Sequence, residues 1–450
     1  MVHSNVANRL DRLPITSFHK YILFVLAFAY FFEFGDTNTF AVVAPRLIQL
    51  WGIDVSTVAF ITSISFLGMF LGSIGGGILA DKTGRKKAIM ITVLFFSFFS
   101  FFNGLAWDAW SMGIFRFFTG MGLAAMTVVC NTYISEIFPS TKRGKFQSLS
   151  IMIGICGTPI TTWLARFIIP ISGTSWRWVF IWGALGILIV FLSKRLVESP
   201  RWYESRGDYA KANEVMNLIE AKVSAHAGEL PTPKQAEVVM VTQKEKIPVS
   251  ALFKGKYLKI TILLSILWIT QTVGFFGFSS FAPTLLYQQG VDVSKSVGYV
   301  AFATLGAPLG SYLASLISDR FDRKWLLAFA GTMIAVSGVF YGLTLNPVLI
   351  VVFGLSINIF ERIYTPLAYS YSPELYPTEM RGVGSGIPYG IGRLANLVGP
   401  LVISAIFAGF GYKYVFFFIA GTWLLGAVVL ALFGPSGKKL RQSKGIEQSA

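Results

Sequence analysis

Charge is scarce in this chain. Only 13% of its 450 residues are Asp, Glu, Lys or Arg, about half the share usual in a soluble globular protein. Hydrophobic residues reach 54%, and a water-soluble fold of that composition is excluded. Cysteine is nearly absent. The two present, Cys130 and Cys156, lie inside apolar runs, which excludes a disulfide framework and leaves them as inert packing residues. Three scattered histidines, His3, His19 and His226, offer no metal-ligand spacing. No strong nucleotide-binding or hydrolytic constellation is visible, so ATP-driven transport and enzyme chemistry are not expected, and no cofactor is implied. Gly120-Met-Gly122-Leu-Ala-Ala125 matches a dinucleotide fingerprint, but it follows no strand and sits within an apolar helix, where helix packing is the better reading.

What is present is a series of apolar runs. Each is roughly 20 residues or longer, enough to cross a hydrocarbon core of about 30 Å. Twelve spans are expected, near 20–45, 56–80, 87–107, 110–135, 146–169, 177–196, 258–286, 295–318, 325–345, 348–371, 383–408 and 412–434. The first is too long for a cleaved leader, contains two acids and shows no small-residue cleavage site, so it is read as a span. The fold class is thus an all-α, twelve-helix membrane protein in two six-helix bundles. Its domains are 1–196, a cytoplasmic linker at 197–257, and 258–450. The linker is rich in Glu and Lys, with a helix expected near Tyr209–Ala225 and a Pro-containing stretch at Leu230–Lys234.

The net charge of +16 does not point to nucleic acid. The basic residues fall in alternate loops: Arg9, Arg12 and Lys20; Lys82 to Lys87; Lys142, Arg143 and Lys145; Arg320, Arg323 and Lys324; Arg381; and Lys438 to Lys444. That positive-inside pattern puts both termini in the cytoplasm. A plasma membrane, a monomer, and protons, lipid and a small organic anion as partners are the matching expectations.

The halves repeat each other. Gly77-Ile-Leu-Ala-Asp81-Lys-Thr-Gly84-Arg85 after the second span answers to Ser315-Leu-Ile-Ser-Asp319-Arg320-Phe-Asp322-Arg323 after the eighth. Ser135-Glu136-Ile-Phe-Pro139 with Arg143-Gly144 answers to Pro373-Glu374-Leu-Tyr-Pro377 with Arg381-Gly382. A six-plus-six repeat is a transporter plan. These acids and bases form a candidate cytoplasmic gate: Asp81, Arg85, Glu136, Arg143, Asp319, Arg323, Glu374 and Arg381. Asp81 and Arg85 are expected to cluster with Arg143 and Glu136; plain topological anchoring is the alternative. Gly68, Gly72 and Gly76, and Gly382, Gly386 and Gly390, form small-residue faces suited to close helix contact, whether sliding or static.

Glu33 and Asp36 lie in the middle of the first apolar run, three residues apart and on one helix face. Carboxylates at that depth cost several kcal/mol and normally face a polar pathway. A rise of about 1.5 Å per residue places Arg116, on the fourth span, at a depth similar to that of Asp36. Two roles fit, a static buried pair or a proton-coupling pair. Glu33 suits a second proton site or a substrate contact. Arg393, near the middle of the eleventh span, needs an anion; a protein carboxylate or a substrate carboxylate would serve, and its fork suits the second.

The loops and the first span carry a resemblance. The chain resembles the major facilitator superfamily through Gly77–Lys87. Val197-Glu198-Ser-Pro-Arg201-Trp and Pro373-Glu-Leu-Tyr-Pro-Thr378 are similar to its sugar-porter and organic-ion branches. Glu33-x-x-Asp36-Thr with Val43-Ala-Pro45, and Gly390-Ile-Gly392-Arg393, resemble the aromatic-acid/proton symporters, with Glu33 standing where an Asp is usual. The resemblance implies proton coupling by Asp36 and Arg116, and an anion at Arg393. The seventh span, Thr270-Gln271 to Phe275-Phe276 and Ser280-Phe281, lacks the polyol-binding side chains of sugar porters and suits an aromatic body. Gln271, Phe275, Asn396, Arg362 and Glu361 complete the candidate substrate residues. The expected function is proton-coupled symport of a small organic anion. A sugar porter, an exporter of organic cations, and a non-transporting sensor are the rivals.

Overall fold

The structure is a computed structural model that describes residues 6–232, 249–317, 320–377 and 380–436. Among these residues every regular element is a helix. Eleven helices are long and apolar enough to cross a membrane: Ser17–Trp51, Val55–Thr83, Arg85–Leu105, Ala109–Ile137, Arg143–Ile168, Gly255–Gln288, Val293–Ile317, Arg323–Leu343, Pro347–Glu374, Arg381–Phe410 and Tyr412–Phe433. A shorter apolar helix, Arg177–Ser193, stands where the sixth span was expected. It tightens to a 3₁₀ turn at Leu185–Ile187. The chain is a multi-pass membrane protein of the twelve-span type.

Local chemistry sets the helix ends. The Asp108 side chain accepts from the Ser111 amide at 2.8 Å, and Ser111 answers with a bond to the Asp108 backbone; this capping box starts the fourth span. Asn346 and Pro347 start the tenth in the same spirit, with Asn346 accepting from Val348 and Pro347 needing no amide partner. Gly52, at φ 63°, ends the first span as a left-handed cap. The first span is interrupted at Asn38, the fifth at Cys156 and the eighth at Leu305.

The packing repeats as the loops do. In the first half, span one packs on five, three on four and three on six; in the second, seven packs on eleven, nine on ten and nine on twelve. Spans two and four meet through glycine. A Cβ at Gly68 or Gly72 would lie 2.0 Å from the carbonyl oxygen of Phe117 or Met121, and one at Gly76 would strike Ala125. Gly306 and Gly310 do the same for spans eight and ten, against Leu355 and Ile359. The Gly68 face therefore serves static packing within one half rather than sliding between halves. The expected partner face fails: a Cβ at Gly382, Gly386 or Gly390 would meet nothing within 4 Å. Opposite the glycines of span two, Leu67, Leu71, Ile74 and Ile78 are exposed, the pattern of a lipid-facing stripe.

By packing, the chain divides into two units. One comprises Met1–Thr37, Ile64–Thr161 and Trp176–Val241; the other Asn38–Ser63, Thr162–Ser175 and Thr242–Ala450. In the first unit, the linker helix Tyr209–Ala227 buries Ala212, Met216, Ile219 and Val223 at helical spacing, in one core with Val6 and Leu10 of the short helix Val6–Asp11. Arg9 and Arg12 both reach Glu220 of that helix, each at 2.7 Å. Asp319, His3, Lys234 and the basic stretch Lys438 to Lys444 lie outside the described residues.

Candidate functional site

In the first unit Asp36 and Arg116, placed at similar depth by the sequence, are in contact. Arg116 Nη1 lies 2.6 Å from Asp36 Oδ1, with the two side chains 3% and 0% exposed. Ser100 on the third span donates to Asp36 Oδ2, and its hydroxyl also lies 3.1 Å from the Phe180 carbonyl. One hydroxyl proton serves one acceptor at a time, so Ser100 has two orientations. Gly183 on the sixth span closes the site. A Cβ there would lie 2.5 Å from Asp36 Oδ2 and 2.7 Å from Ser100 Oγ, so only glycine leaves the carboxylate its room. One turn beyond Arg116, Thr119 accepts from Asn103 at 2.8 Å and pins the fourth span to the third. Arg116 Nε is buried and has no hydrogen-bond partner among the described residues.

Glu33 lies one turn deeper and is 8% exposed. Its helix continues toward Tyr30, whose hydroxyl donates to Asn131 at 2.5 Å; Gln147 donates to the same Asn131 oxygen at 3.1 Å. Trp182 donates to Thr161 at 3.1 Å on the neighbouring faces of spans six and five. The two acids thus sit in different surroundings. Asp36 holds a guanidinium, while Glu33 stands near a polar band on spans one, four and five.

In the second unit the candidate substrate residues form two groups. The first is a chain of contacts from Arg362 to Glu361 at 3.1 Å, from Thr365 to Glu361 at 2.7 Å, from Gln271 to Thr365 at 3.1 Å and from Thr272 to Gln271 at 3.1 Å. Adjacent residues on a helix face different directions, and the long arginine side chain bridges the gap to Glu361. The Arg362 guanidinium also lies over the Phe275 ring at 5.4 Å. The second group centres on Arg393, whose Nε and Nη2 both donate to the Tyr389 hydroxyl at 2.8 and 2.6 Å. Tyr389 accepts from Tyr369 at 3.1 Å. Trp268 packs on both tyrosines, with ring centroids 4.8 and 4.9 Å away. Asn396, one turn from Arg393, is 2% exposed, and its Nδ2 has no hydrogen-bond partner among the described residues. Arg166, on the fifth span, donates to Ser294 at 2.6 Å.

The candidate gate residues pair within each repeat. Arg85 meets Glu136 in a two-pronged contact at 2.9 and 2.8 Å, Asp81 at 3.2 Å and the Ala80 carbonyl at 3.0 Å. Arg323 pairs with Glu374, the same distance apart in sequence. Arg143 does not join the Asp81–Glu136 cluster as expected. It donates to the Phe138 carbonyl at 3.1 Å, just as Arg381 donates to that of Tyr376 at 3.4 Å, each five residues back along the chain. The arginine that serves Glu136 is already supplied by the third span. Glu198 caps that span, accepting from the amides of Arg85 and Lys86 at 2.7 and 3.2 Å. Gly84 at φ 91° makes this approach possible, since a Cβ would lie 2.4 Å from Glu198 Oε2.

Ser100, Gly183, Trp268, Tyr369 and Tyr389 were not among the candidates read from the sequence. A signal existed for the first: Ser97, Ser100 and Asn103 recur every three residues through a phenylalanine-rich run, a polar stripe on one helix face. Tyr389 stands four residues before Arg393, in reach on a helix. Gly183 had no such mark.

Two repeated six-span halves, with buried ionic residues in the span interiors and paired charges in the loops, define a secondary transporter of the major facilitator type, not an enzyme. The profile described as Sugar (and other) transporter matches residues 16–444, and the chain belongs to that family. YyaJ of Bacillus subtilis, named as a metabolite transport protein, is 48% identical over 96% of both chains. The niacin transporter NiaP of Acinetobacter baylyi is 29% identical, over 96% of this chain and 97% of its own. Among solved structures, the partially occluded, inward-open xylose transporter XylE of E. coli superposes with a TM-score of 0.76 at 17% identity, covering 94% of this chain and 99% of XylE. That likeness fixes the fold alone.

Proposed function

We propose that this protein is a proton-coupled symporter of a small organic anion, with an aromatic monocarboxylate as the substrate class. The observation that carries the coupling is the buried pair of Asp36 and Arg116. While the two are paired, the guanidinium balances the carboxylate charge. When the arginine moves away in a site closed to water, the lone carboxylate becomes costly and its neutral, protonated form is favoured. Asp36 then carries the proton, and the return of Arg116 releases it. Glu33, one turn deeper, serves as a second proton site or substrate contact.

Arg393 supports the anion. Its guanidinium is set beside Tyr389, Tyr369 and Trp268, a surround that suits a carboxylate joined to a ring. The similarity to a niacin transporter supports the same class, since niacin is a small aromatic acid. Gln271, Phe275, Asn396, Glu361 and Arg362 belong to the same proposed region. Transport proceeds by alternating access of the halves 1–196 and 258–450 around the linker at 197–257. The paired loop charges Asp81, Arg85, Glu136, Glu374 and Arg323 close the cytoplasmic side in one state. The protein works as a monomer in the plasma membrane, with both termini cytoplasmic.

The test is uptake into proteoliposomes under an imposed pH gradient, with benzoate-like acids, nicotinate, lactate, hexoses and quaternary amines as the panel. An acid from this panel should accumulate. Asp36→Asn should retain substrate exchange and lose uphill accumulation. Undiminished accumulation in that variant removes the coupling role, and accumulation of hexose alone replaces the substrate class.

A further inference from the structure

Away from the candidate site residues, a cleft of about 500 Å³ opens where the linker helix crosses the start of the first span. Volumes of this order hold small molecules. Three basic side chains line it, Arg195, Lys222 and His226, and among the described residues no acid does. The neighbouring acid of the linker helix, Glu220, is taken up by Arg9 and Arg12. Ala221 and Ala225 keep the floor shallow, and Phe18 and Tyr21 form the wall. Tyr21 is held by its bond to the Leu192 carbonyl at 2.7 Å, and Lys222 Nζ stands 6.0 Å from the Phe18 ring centre.

The position of the cleft selects its occupant. Ser17 begins the first span and Ser193 ends the sixth apolar helix, so the cleft sits at the boundary between hydrocarbon and water. One turn deeper on the same two spans, Phe24 and Phe191 are 54% and 59% exposed, and they offer a lipid-facing track beneath the basic rim. A phosphate group with an attached apolar chain fits both features at once; free phosphate uses only the first. We infer that this cleft binds the headgroup of an acidic phospholipid, with the phosphate among Arg195, Lys222 and His226 and an acyl chain along Phe24 and Phe191. Basic clusters just outside a span attract anionic headgroups in this way.

The full-length protein, purified and reconstituted in nanodiscs of defined lipid, is examined by native mass spectrometry after release into detergent. Phosphatidylglycerol should be retained in preference to phosphatidylcholine. Arg195→Gln with Lys222→Gln should reduce retention more than about tenfold, since each cation near the surface is worth several-fold in binding. Ala225→Trp, which fills the cleft and keeps the charges, should reduce it as well. A melting curve in phosphatidylcholine alone verifies that each variant is folded. Equal retention of the two lipids, undiminished phosphatidylglycerol in the folded variants, or full displacement by millimolar inorganic phosphate would overturn the assignment.

Discussion

Removing Arg116 alone should damage this protein more than removing both members of its ion pair. The Asp36 and Arg116 side chains are almost fully enclosed and 2.6 Å apart. With an effective dielectric near 20, their Coulomb attraction is about 6 kcal/mol. Taking each charge out of water costs several kcal/mol, so the net value of the intact pair is small. Arg116→Gln leaves the carboxylate buried, with Ser100 as its one remaining side-chain donor among the described residues, and such orphaned charges cost roughly 3–5 kcal/mol. In Asp36→Asn with Arg116→Gln no charge is stranded, and most of that loss should return. Function should not follow stability: the double variant, though well folded, should exchange substrate without accumulating it. The assay is denaturant or thermal unfolding in one fixed detergent, alongside uphill and exchange transport in proteoliposomes. If the double variant is no more stable than Arg116→Gln, the reasoning from a stranded charge is wrong. If it still accumulates substrate, the coupling role is wrong even if the energetics are right.

Gly183→Ala should overpack the same site, because the new methyl would lie 2.5 Å from Asp36 Oδ2; a stability loss of about 1–3 kcal/mol and weaker uphill uptake are expected, read by unfolding and transport. Arg393→Lys keeps the charge but loses the planar fork, so the KM for a carboxylate substrate should rise by about tenfold while the variant stays folded. At the linker, burial works against ionised Glu220, but its bonds to Arg9 and Arg12 win and hold its carboxyl below the ordinary 4.5. A depressed acid stabilises the folded contact above its unfolded pKa and loses that contribution as the pH falls through the folded value. Docking of Val6–Asp11 on the linker helix should therefore loosen only below about pH 4.5, and hydrogen exchange of residues 6–11 should show it, with Glu220→Gln loosened at neutral pH.

Composition and spacing were enough for much of this architecture. Scarce charge and recurrent apolar runs require membrane-spanning helices, because backbone polar groups in hydrocarbon must be satisfied within the element. The internal repeat was legible because its motifs are local: Arg85 with Glu136 and Arg323 with Glu374 recur at one spacing. Asp36 and Arg116 could be matched from the sequence because a helix converts residue number into depth. What a one-dimensional depth scale lacks is azimuth, the direction in which each residue faces around its helix. Only the folded chain turned Arg85, rather than Arg143, toward Glu136. The same packing brought Tyr389, Tyr369 and Trp268 to Arg393 and left the Gly382 face open. Gly183 is the sharpest case: its role is to be absent beside Asp36, and no pattern within its own helix can register the space another helix requires.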